Sequence, residues 1–127
     1  MGITVGSVVI RCFYFSKTLE FWKQALGYVL REKPDDEGWA VLVDPAGVGV
    51  NLSFQQVAKP RSGNRGRLHI DLYAEDQLAE VERLVSLGAS RYPWQYEADA
   101  DYIVLADPDD NLFCVVSKAR MSWRCCR

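Results

Sequence analysis

The sequence contains one order of structural signals twice. In each copy a helix-like stretch ends at a Leu-Gly pair, and an apolar run then leads to an Asp-Pro pair and a final strand-like run. The pairs are Leu26-Gly27 with Asp44-Pro45, then Leu87-Gly88 with Asp107-Pro108. The Leu-Gly pairs lie 61 residues apart and the Asp-Pro pairs 63 residues apart. Because this offset hardly changes, we predict two copies of one unit whose corresponding positions face a shared site.

The pattern within each copy predicts the order β-α-β-β-β. Apolar residues at helical spacing identify the helices, and Pro, Gly and Asp turn signals separate the strands. In copy one, strands are predicted at 7–12, 28–32, 38–44 and 49–55, with a helix that has Ser16 as its N-cap and stops at Gly27. In copy two, the predicted strands are 68–73, 91–96, 102–107 and 112–117, and the helix is 75–87.

Neither copy is large enough to bury its sheet alone. We therefore predict one α+β domain over residues 1–127, in which two modules form curved mixed sheets around a cleft. Module one spans about 6–57, a linker about 58–66, module two about 67–118, and a tail 119–127.

Charge and hydropathy exclude several classes of partner. The net charge of −2 argues against a nucleic-acid-binding surface. No apolar run approaches the roughly 20 residues that span a bilayer, and the N-terminus lacks the features of a signal peptide. We expect a cytoplasmic protein with no nucleic-acid or membrane partner.

The four cysteines fit a reducing compartment. Cys12 and Cys114 lie in apolar strand-like runs, whereas Cys125 and Cys126 are adjacent in a basic tail. Neighbouring cysteines are a poor disulfide pair, and no Cys-x-x-Cys spacing suggests zinc. All four are predicted to be thiols. The sequence assigns no role to the Cys125-Cys126 tail.

Several motifs together carry a family resemblance. They are Phe21-Trp22, Leu26-Gly27, and the segments 67–72, 84–89 and 107–114. With the repeated β-α-β-β-β order, the chain resembles the vicinal-oxygen-chelate superfamily, which includes glyoxalase I, extradiol dioxygenases and the fosfomycin- and bleomycin-resistance proteins. It looks most like a glyoxalase-like branch of that group. The resemblance implies the glyoxalase-like fold and a homodimer.

The resemblance also implies four metal positions, two in each module. Transferred through the repeat, they fall on Ser7, Asn51, His69 and Cys114. Metal-dependent members carry His, Glu or Gln there, and only His69 matches. Because serine and asparagine are weak neutral ligands, we predict no metal cofactor; a divalent metal is the alternative.

Strand alternation predicts which side chains line the cleft. His69, Asp71 and Tyr73 should face one way, while Leu68, Ile70 and Leu72 pack beneath the helices. The predicted ligand-binding set is Ser7, Arg11, Asn51, Ser53, His69, Asp71 and Cys114.

Chemistry at this lining has two interpretations. His69 beside Asp71 could act as a general base, with Arg11 holding an anionic group of a substrate. Alternatively, His69 is a vestigial ligand satisfied by Asp71 or a backbone carbonyl, and Arg11 with Asp71 is an ion pair joining the modules.

Aromatic residues near the predicted cleft edge suggest a flat ligand. Some of Trp39, Tyr92, Trp94, Tyr96 and Tyr102 could stack on one, but alternation does not show which of them face inward.

Three functions remain open from the sequence. The leading prediction is metal-independent binding of a small molecule in the cleft, as in bleomycin-resistance relatives. The enzyme alternative is a lyase or isomerase acting through a recruited metal or through His69 and Asp71. The third is a non-catalytic interaction scaffold. The sequence identifies neither the ligand nor whether the cleft forms within one chain or across a swapped dimer.

Overall fold

The computed structural model describes residues 2–60 and 68–119. The chain divides into two compact units, Met1–Ser62 (unit 1) and Gly63–Arg127 (unit 2). Most of the predicted linker and nearly all of the tail, including Cys125 and Cys126, lie outside the described residues. Each unit has its own sheet and helix.

Unit 1 has the order β-α-β-β-β. Its elements are β1 (Val8–Cys12), α1 (Phe15–Leu26), β2 (Val29–Leu30), β3 (Trp39–Val43) and β4 (Leu52–Gln56). The sheet order is β1-β4-β3-β2, with β1 and β4 parallel and the other pairs antiparallel. The first and last strands of the unit are therefore neighbours.

Unit 2 repeats this topology. Its elements are β5 (Ile70–Ala74), α2 (Gln77–Leu87), β6 (Ser90–Arg91), β7 (Tyr102–Ala106) and β8 (Leu112–Ser117). The sheet order is β5-β8-β7-β6, again with the first and last strands parallel. Two mixed four-stranded sheets, each with one helix, confirm the predicted α+β fold and the repeat.

Each unit buries an apolar core of its own. In unit 1 the largest fully buried side chains are Phe21, Trp22, Leu42 and Phe54. Their counterparts in unit 2 are Val81, Leu84, Leu105, Phe113 and Val115. Helix α1 packs on β4, and α2 packs on β5 and β8. The apolar stripe of each helix therefore covers one face of its sheet.

The two helices begin differently. Ser16 is not the N-cap of α1, because the helix begins at Phe15 and Tyr14 occupies the cap position without a side-chain hydrogen bond. Helix α2 is capped by Asp76, whose Oδ1 accepts from the Ala79 N–H at 3.2 Å. Both helices end at glycine as predicted, and Gly27 has a φ of 67°.

Two predicted strands are much shorter than expected. The segment 28–32 contributes only Val29–Leu30, and 91–96 contributes only Arg91, as part of Ser90–Arg91. Pro93 lacks the N–H that would continue the second strand. Leu68 was also predicted to pack beneath the helix, but it precedes β5 and is 88% exposed.

The two Asp-Pro turns have equivalent hydrogen bonds. In unit 1, Asp44 accepts from the N–H groups of Ala46 at 2.9 Å and Gly49 at 2.8 Å. In unit 2, Asp107 accepts from those of Asp109 and Asn111, both at 2.9 Å. The repeated sequence signal therefore marks a repeated turn held by an aspartate.

No helix among the described residues is long and apolar enough to span a bilayer.

Candidate functional site

One face of the unit 2 sheet carries polar and aromatic side chains. In the ladder, Asp71 pairs with Cys114 and Cys114 with Val104, while Tyr73 pairs with Val116 and Val116 with Tyr102. Paired residues on neighbouring strands project to the same side. We call this side the site face and define it by Asp71, Tyr73, Tyr102, Val104, Cys114 and Val116.

His69, Asp71 and Cys114 form a compact cluster on the site face. The His69 Nε2 atom lies 3.1 Å from Asp71 Oδ1. One nitrogen of His69, one oxygen of Asp71 and the Cys114 sulfur all lie within 4.8 Å of one another. The side chains of His69 and Asp71 are 52% and 29% exposed, whereas Cys114 is buried. The structure thus brings together three of the predicted site residues; their roles remain predictions.

An aromatic group, formed by Tyr92, Trp94, Tyr96 and Tyr102, lies beside this cluster. Tyr92, Tyr102 and Leu112 pack against a buried floor of Val104, Cys114 and Val116. The ring centroids of Tyr96 and Tyr102 are 5.5 Å apart, and those of Tyr92 and Trp94 are 6.3 Å apart. Trp94 is 47% exposed and Tyr96 is 43% exposed. The group therefore presents aromatic surface to solvent, of the kind that flat ligands contact.

Tyr102 joins the aromatic group to a carboxylate. Its hydroxyl accepts from Trp94 Nε1 at 3.3 Å and donates to Glu97 Oε2 at 3.0 Å. The indole bond favours the phenolate, but burial, the Glu97 hydrogen bond and the electrostatic influence of Glu97 and Cys114 outweigh it and raise the pKa of Tyr102. Tyr102 therefore keeps its proton and remains a hydrogen-bond donor at neutral pH.

A shallow hollow of about 660 Å³ adjoins Tyr102. It lies near the start of α2, and its polar lining includes Glu75, Asp76 and Glu97 beside Tyr96 and Tyr102. This volume falls within the range of about 300–1,000 Å³ of small-molecule sites. Acidic groups beside aromatic rings suit an aromatic ligand with positive charge.

Unit 1 places its predicted residues on the corresponding face of its own sheet. Val9 pairs with Ser53 and Arg11 with Gln55, so these residues share one side. The Ser7 and Ser53 hydroxyls are hydrogen-bonded, and Ser53 is 2% exposed. The backbone carbonyl of Asn51 accepts from the Val8 N–H at 3.0 Å. Because Arg11 belongs to unit 1 and Asp71 to unit 2, the ion pair between them remains a prediction.

The donors do not fit the metal set that the resemblance implies. The Ser7 hydroxyl is engaged with Ser53, and Asn51 supplies only a neutral amide. Within unit 2, His69, Asp71 and Cys114 offer the nitrogen, oxygen and sulfur donors that zinc accepts. Among the described residues, no fourth His, Cys, Asp or Glu joins this cluster. The residues at the four positions therefore do not match in donor chemistry the metal set that the resemblance implies.

Sequence reasoning missed two features of this site. It put Asp71 and Cys114 in one lining but did not predict that they are direct ladder partners, because this depends on the register between the first and last strands of the unit. It also missed Glu97, because the predicted strand at 91–96 ends before the turn that carries this residue.

Two β-α-β-β-β units with parallel first and last strands define the glyoxalase-like fold of the vicinal-oxygen-chelate superfamily. A family profile described as the Glyoxalase-like domain matches residues 7–116. The chain therefore belongs to the Glyoxalase-like domain family. No curated protein matches the sequence significantly.

Solved structures share this fold at low sequence identity. A glyoxalase-related enzyme from Fulvimarina pelagi aligns with a TM-score of 0.66 at 14% identity, covering 91% of this chain and 88% of that chain. An antibiotic-binding protein from a Streptomyces species aligns with a TM-score of 0.65 at 21% identity, covering 92% of this chain and 98% of that chain. A fosfomycin resistance protein from Listeria monocytogenes aligns with a TM-score of 0.68 at 15% identity, covering 92% of this chain and 90% of that chain. That structure was solved with Mn(II) and a dihydroxypropylphosphonic acid. Identities this low show the fold alone.

Proposed function

We propose that this protein binds a flat aromatic small molecule on the site face of unit 2, without the metal site of the wider superfamily. The observation that carries the proposal is the exposed aromatic group around Tyr102, set beside a buried apolar floor. An antibiotic-binding protein with the same fold makes a binding role consistent with the architecture.

The charge near the aromatic group indicates which ligands bind best. Glu97 accepts from the Tyr102 hydroxyl, and Glu75 and Asp76 line the adjoining hollow. Lys118 is paired with Glu75 at 3.3 Å, so the hollow is not purely acidic. A planar cation is favoured by the ring faces and by the carboxylates, whereas a planar anion is disfavoured by the carboxylates.

Tryptophan fluorescence tests the binding proposal. Acridine orange, a planar cation, is expected to quench Trp94, while anthracene-9-carboxylate, a planar anion, binds more weakly. Tyr102→Ala should weaken the binding of acridine orange about fivefold, which corresponds to the loss of about 1 kcal/mol from an aromatic contact. His69→Ala should leave the affinity nearly unchanged.

Trp94→Phe and Trp39→Phe form a matched pair of controls. Both tryptophans are partly exposed, but Trp39 lies on β3 of unit 1. Quenching should disappear in Trp94→Phe and persist in Trp39→Phe. Equal quenching in wild type and Trp94→Phe would show that the dye binds elsewhere and would refute the proposal.

The short His69–Asp71 contact supports a second candidate, a lyase or isomerase that uses His69 as a base. Any turnover found with a family substrate should then be lost in His69→Ala while the melting temperature is unchanged. Wild-type rates in that variant would eliminate this candidate.

We further propose that the protein is a metal-free homodimer. Native mass spectrometry of protein purified without a histidine tag or chelator measures the assembly mass, any metal and any retained organic ligand together. A monomer would contradict the dimer, and a stoichiometric divalent metal would contradict metal-free binding.

A further inference from the structure

We infer that Cys114 is a nucleophile that His69 and Asp71 activate to capture a soft planar electrophile. The inference rests on the proposed function for the class of ligand, because the aromatic group would hold that electrophile over the sulfur. The covalent step itself depends only on the cluster of three side chains.

The fold assembles this cluster through one register. Asp71 on β5 is the ladder partner of Cys114 on β8, and His69 lies two residues before Asp71. His69 Nε2 lies 3.1 Å from Asp71 Oδ1, and the Cys114 sulfur lies within 4.8 Å of a donor atom of each. A thiol, an imidazole and a carboxylate in one group are the parts of an activated cysteine.

Each member has a distinct part in the step. The imidazole of His69 takes the proton from the Cys114 thiol, because the thiolate is the reactive form. The Asp71 carboxylate orients the imidazole and stabilises the imidazolium that forms. Asp71 therefore acts through His69 as a positioning residue.

The reaction balances without any redox partner. The Cys114 thiolate forms an S–C bond at the β-carbon of an alkene conjugated to a carbonyl. The alkene electron pair moves toward the carbonyl oxygen to give an enolate, and the α-carbon then takes the proton back from His69. The product is a neutral thioether adduct, and the imidazole is regenerated.

The surroundings of Cys114 favour this electrophile over a small polar oxidant. The sulfur-bearing residue belongs to an apolar cluster with Val104 and Val116, against which Tyr92 and Tyr102 pack. A conjugated planar molecule buries apolar surface there and can lie against the rings. A peroxide gains neither contact.

Cys12 provides an internal comparison. It is likewise buried in a sheet strand, but it is 0% exposed whereas Cys114 retains 7%. Its ladder partner is Gln56 rather than a carboxylate. The only histidine of the chain, His69, belongs to the other unit. Of the two cysteines in the described part of the chain, Cys114 thus has a carboxylate as its ladder partner and Cys12 an amide.

The experiment measures alkylation by N-ethylmaleimide at pH 7, using intact-mass and peptide mass spectrometry. A Cys125→Ser/Cys126→Ser background leaves only Cys12 and Cys114 to react. Cys114 should react faster than Cys12. His69→Ala and His69→Gln should each slow the alkylation of Cys114 about tenfold, since an unactivated thiol is only a few per cent thiolate at this pH.

Asp71 variants test the positioning role. Asp71→Ala should slow alkylation of Cys114, while Asp71→Glu restores part of the rate at an equal melting temperature. Alkylation of Cys114 that is equally fast in both His69 variants and in wild type would overturn the inference. Alkylation that requires prior removal of one bound zinc per chain would also overturn it, since Cys114 would then be a zinc ligand.

Acridine orange binding to the same preparations separates this inference from the proposed function. If the dye binds but alkylation of Cys114 does not depend on His69, only the proposed activation of Cys114 is refuted. His69-dependent alkylation without dye binding would refute only the proposed function.

Discussion

Asp44 shows how one side chain can hold a turn through its charge. The backbone N–H groups of Ala46 and Gly49, with a smaller contribution from Val48, lower the pKa of Asp44 against the opposing effect of burial. A pKa lowered in the folded state means that the carboxylate stabilises the fold above its ordinary value of 3.8. This contribution is lost as the pH falls through the folded-state pKa.

Asp44→Asn tests this contribution. The variant should have a smaller free energy of unfolding than wild type at pH 7, because the charged acceptor is gone. The difference should narrow as the pH falls below 3.8. Urea denaturation across this range measures it; a difference that does not vary with pH would show that the charge of Asp44 has no part.

Gly38 is required by both its backbone conformation and its surroundings. Its φ is +85°, and a Cβ added there would collide with the Cβ of Gln56. The Gln56 amide donates to the Phe13 carbonyl at 2.8 Å, so this side chain is held in place.

Gly38→Ala should therefore destabilise the protein by more than about 1 kcal/mol. Gly47→Ala is the matched control, since Gly47 also has a positive φ, of +72°, but nothing within 4 Å of an added Cβ. Urea denaturation should show the larger loss for Gly38→Ala. Equal losses would mean that the Gln56 contact costs nothing.

At the scale of elements, the two helices are stabilised in different ways, one by an N-terminal cap and the other by burial. Asp76 satisfies a backbone N–H in the first turn of α2, whereas Tyr14 makes no such bond for α1. Helix α1 instead buries more of its residues, including Phe21 and Trp22. Packing therefore compensates for the missing cap, because tertiary contacts supply most of a helix's stability.

Asp76→Ala should destabilise the protein by about 1 kcal/mol, the usual cost of losing an N-cap. Glu82→Ala, an exposed carboxylate on the same helix, should change stability little. Thermal unfolding followed by circular dichroism measures both. A similar effect of the two substitutions would assign the loss to charge rather than to capping.

At the scale of the whole molecule, the repeat supplies equivalent core positions. Leu42 and Leu105 lie 63 residues apart, at matching places in β3 and β7, and both are 0% exposed. Each unit has its own core, but an isolated unit of about 60 residues is marginally stable. We therefore predict that the two units unfold together.

Leu42→Ala and Leu105→Ala should each cost about 2–5 kcal/mol and shift one common transition. Urea denaturation followed by two-dimensional NMR, with resonances from each unit, would detect this. Resonances of one unit that disappear before those of the other would show that the units unfold independently.

The sequence predicted those features that local chemistry determines. Helical spacing and the two terminal glycines located both helices, and alternation correctly separated Asp71 from its neighbours Ile70 and Leu72. The cap at Tyr14 was not predictable, because packing replaced the usual cap chemistry. The sequence named the aromatic residues near the cleft edge but not which of them lie together, because the assumed strand at 91–96 ends at Arg91 and alternation does not apply beyond it. The Asp71–Cys114 pairing depends on register between strands far apart in sequence.

The parallel pairing of the first and last strands of each unit also implies an order of assembly. Leu42 and Leu52 meet across a local hairpin, but Val8 must find Leu52 and Ile70 must find Phe113, more than forty residues away. Closing such long loops costs the most entropy, so β5 should dock after the hairpin of β7 and β8 has formed. Asp71 lies on this late strand and His69 directly precedes it, whereas Cys114 lies on the hairpin. A brief detachment of β5 would therefore separate the thiol from its base while the rest of unit 2 stayed folded.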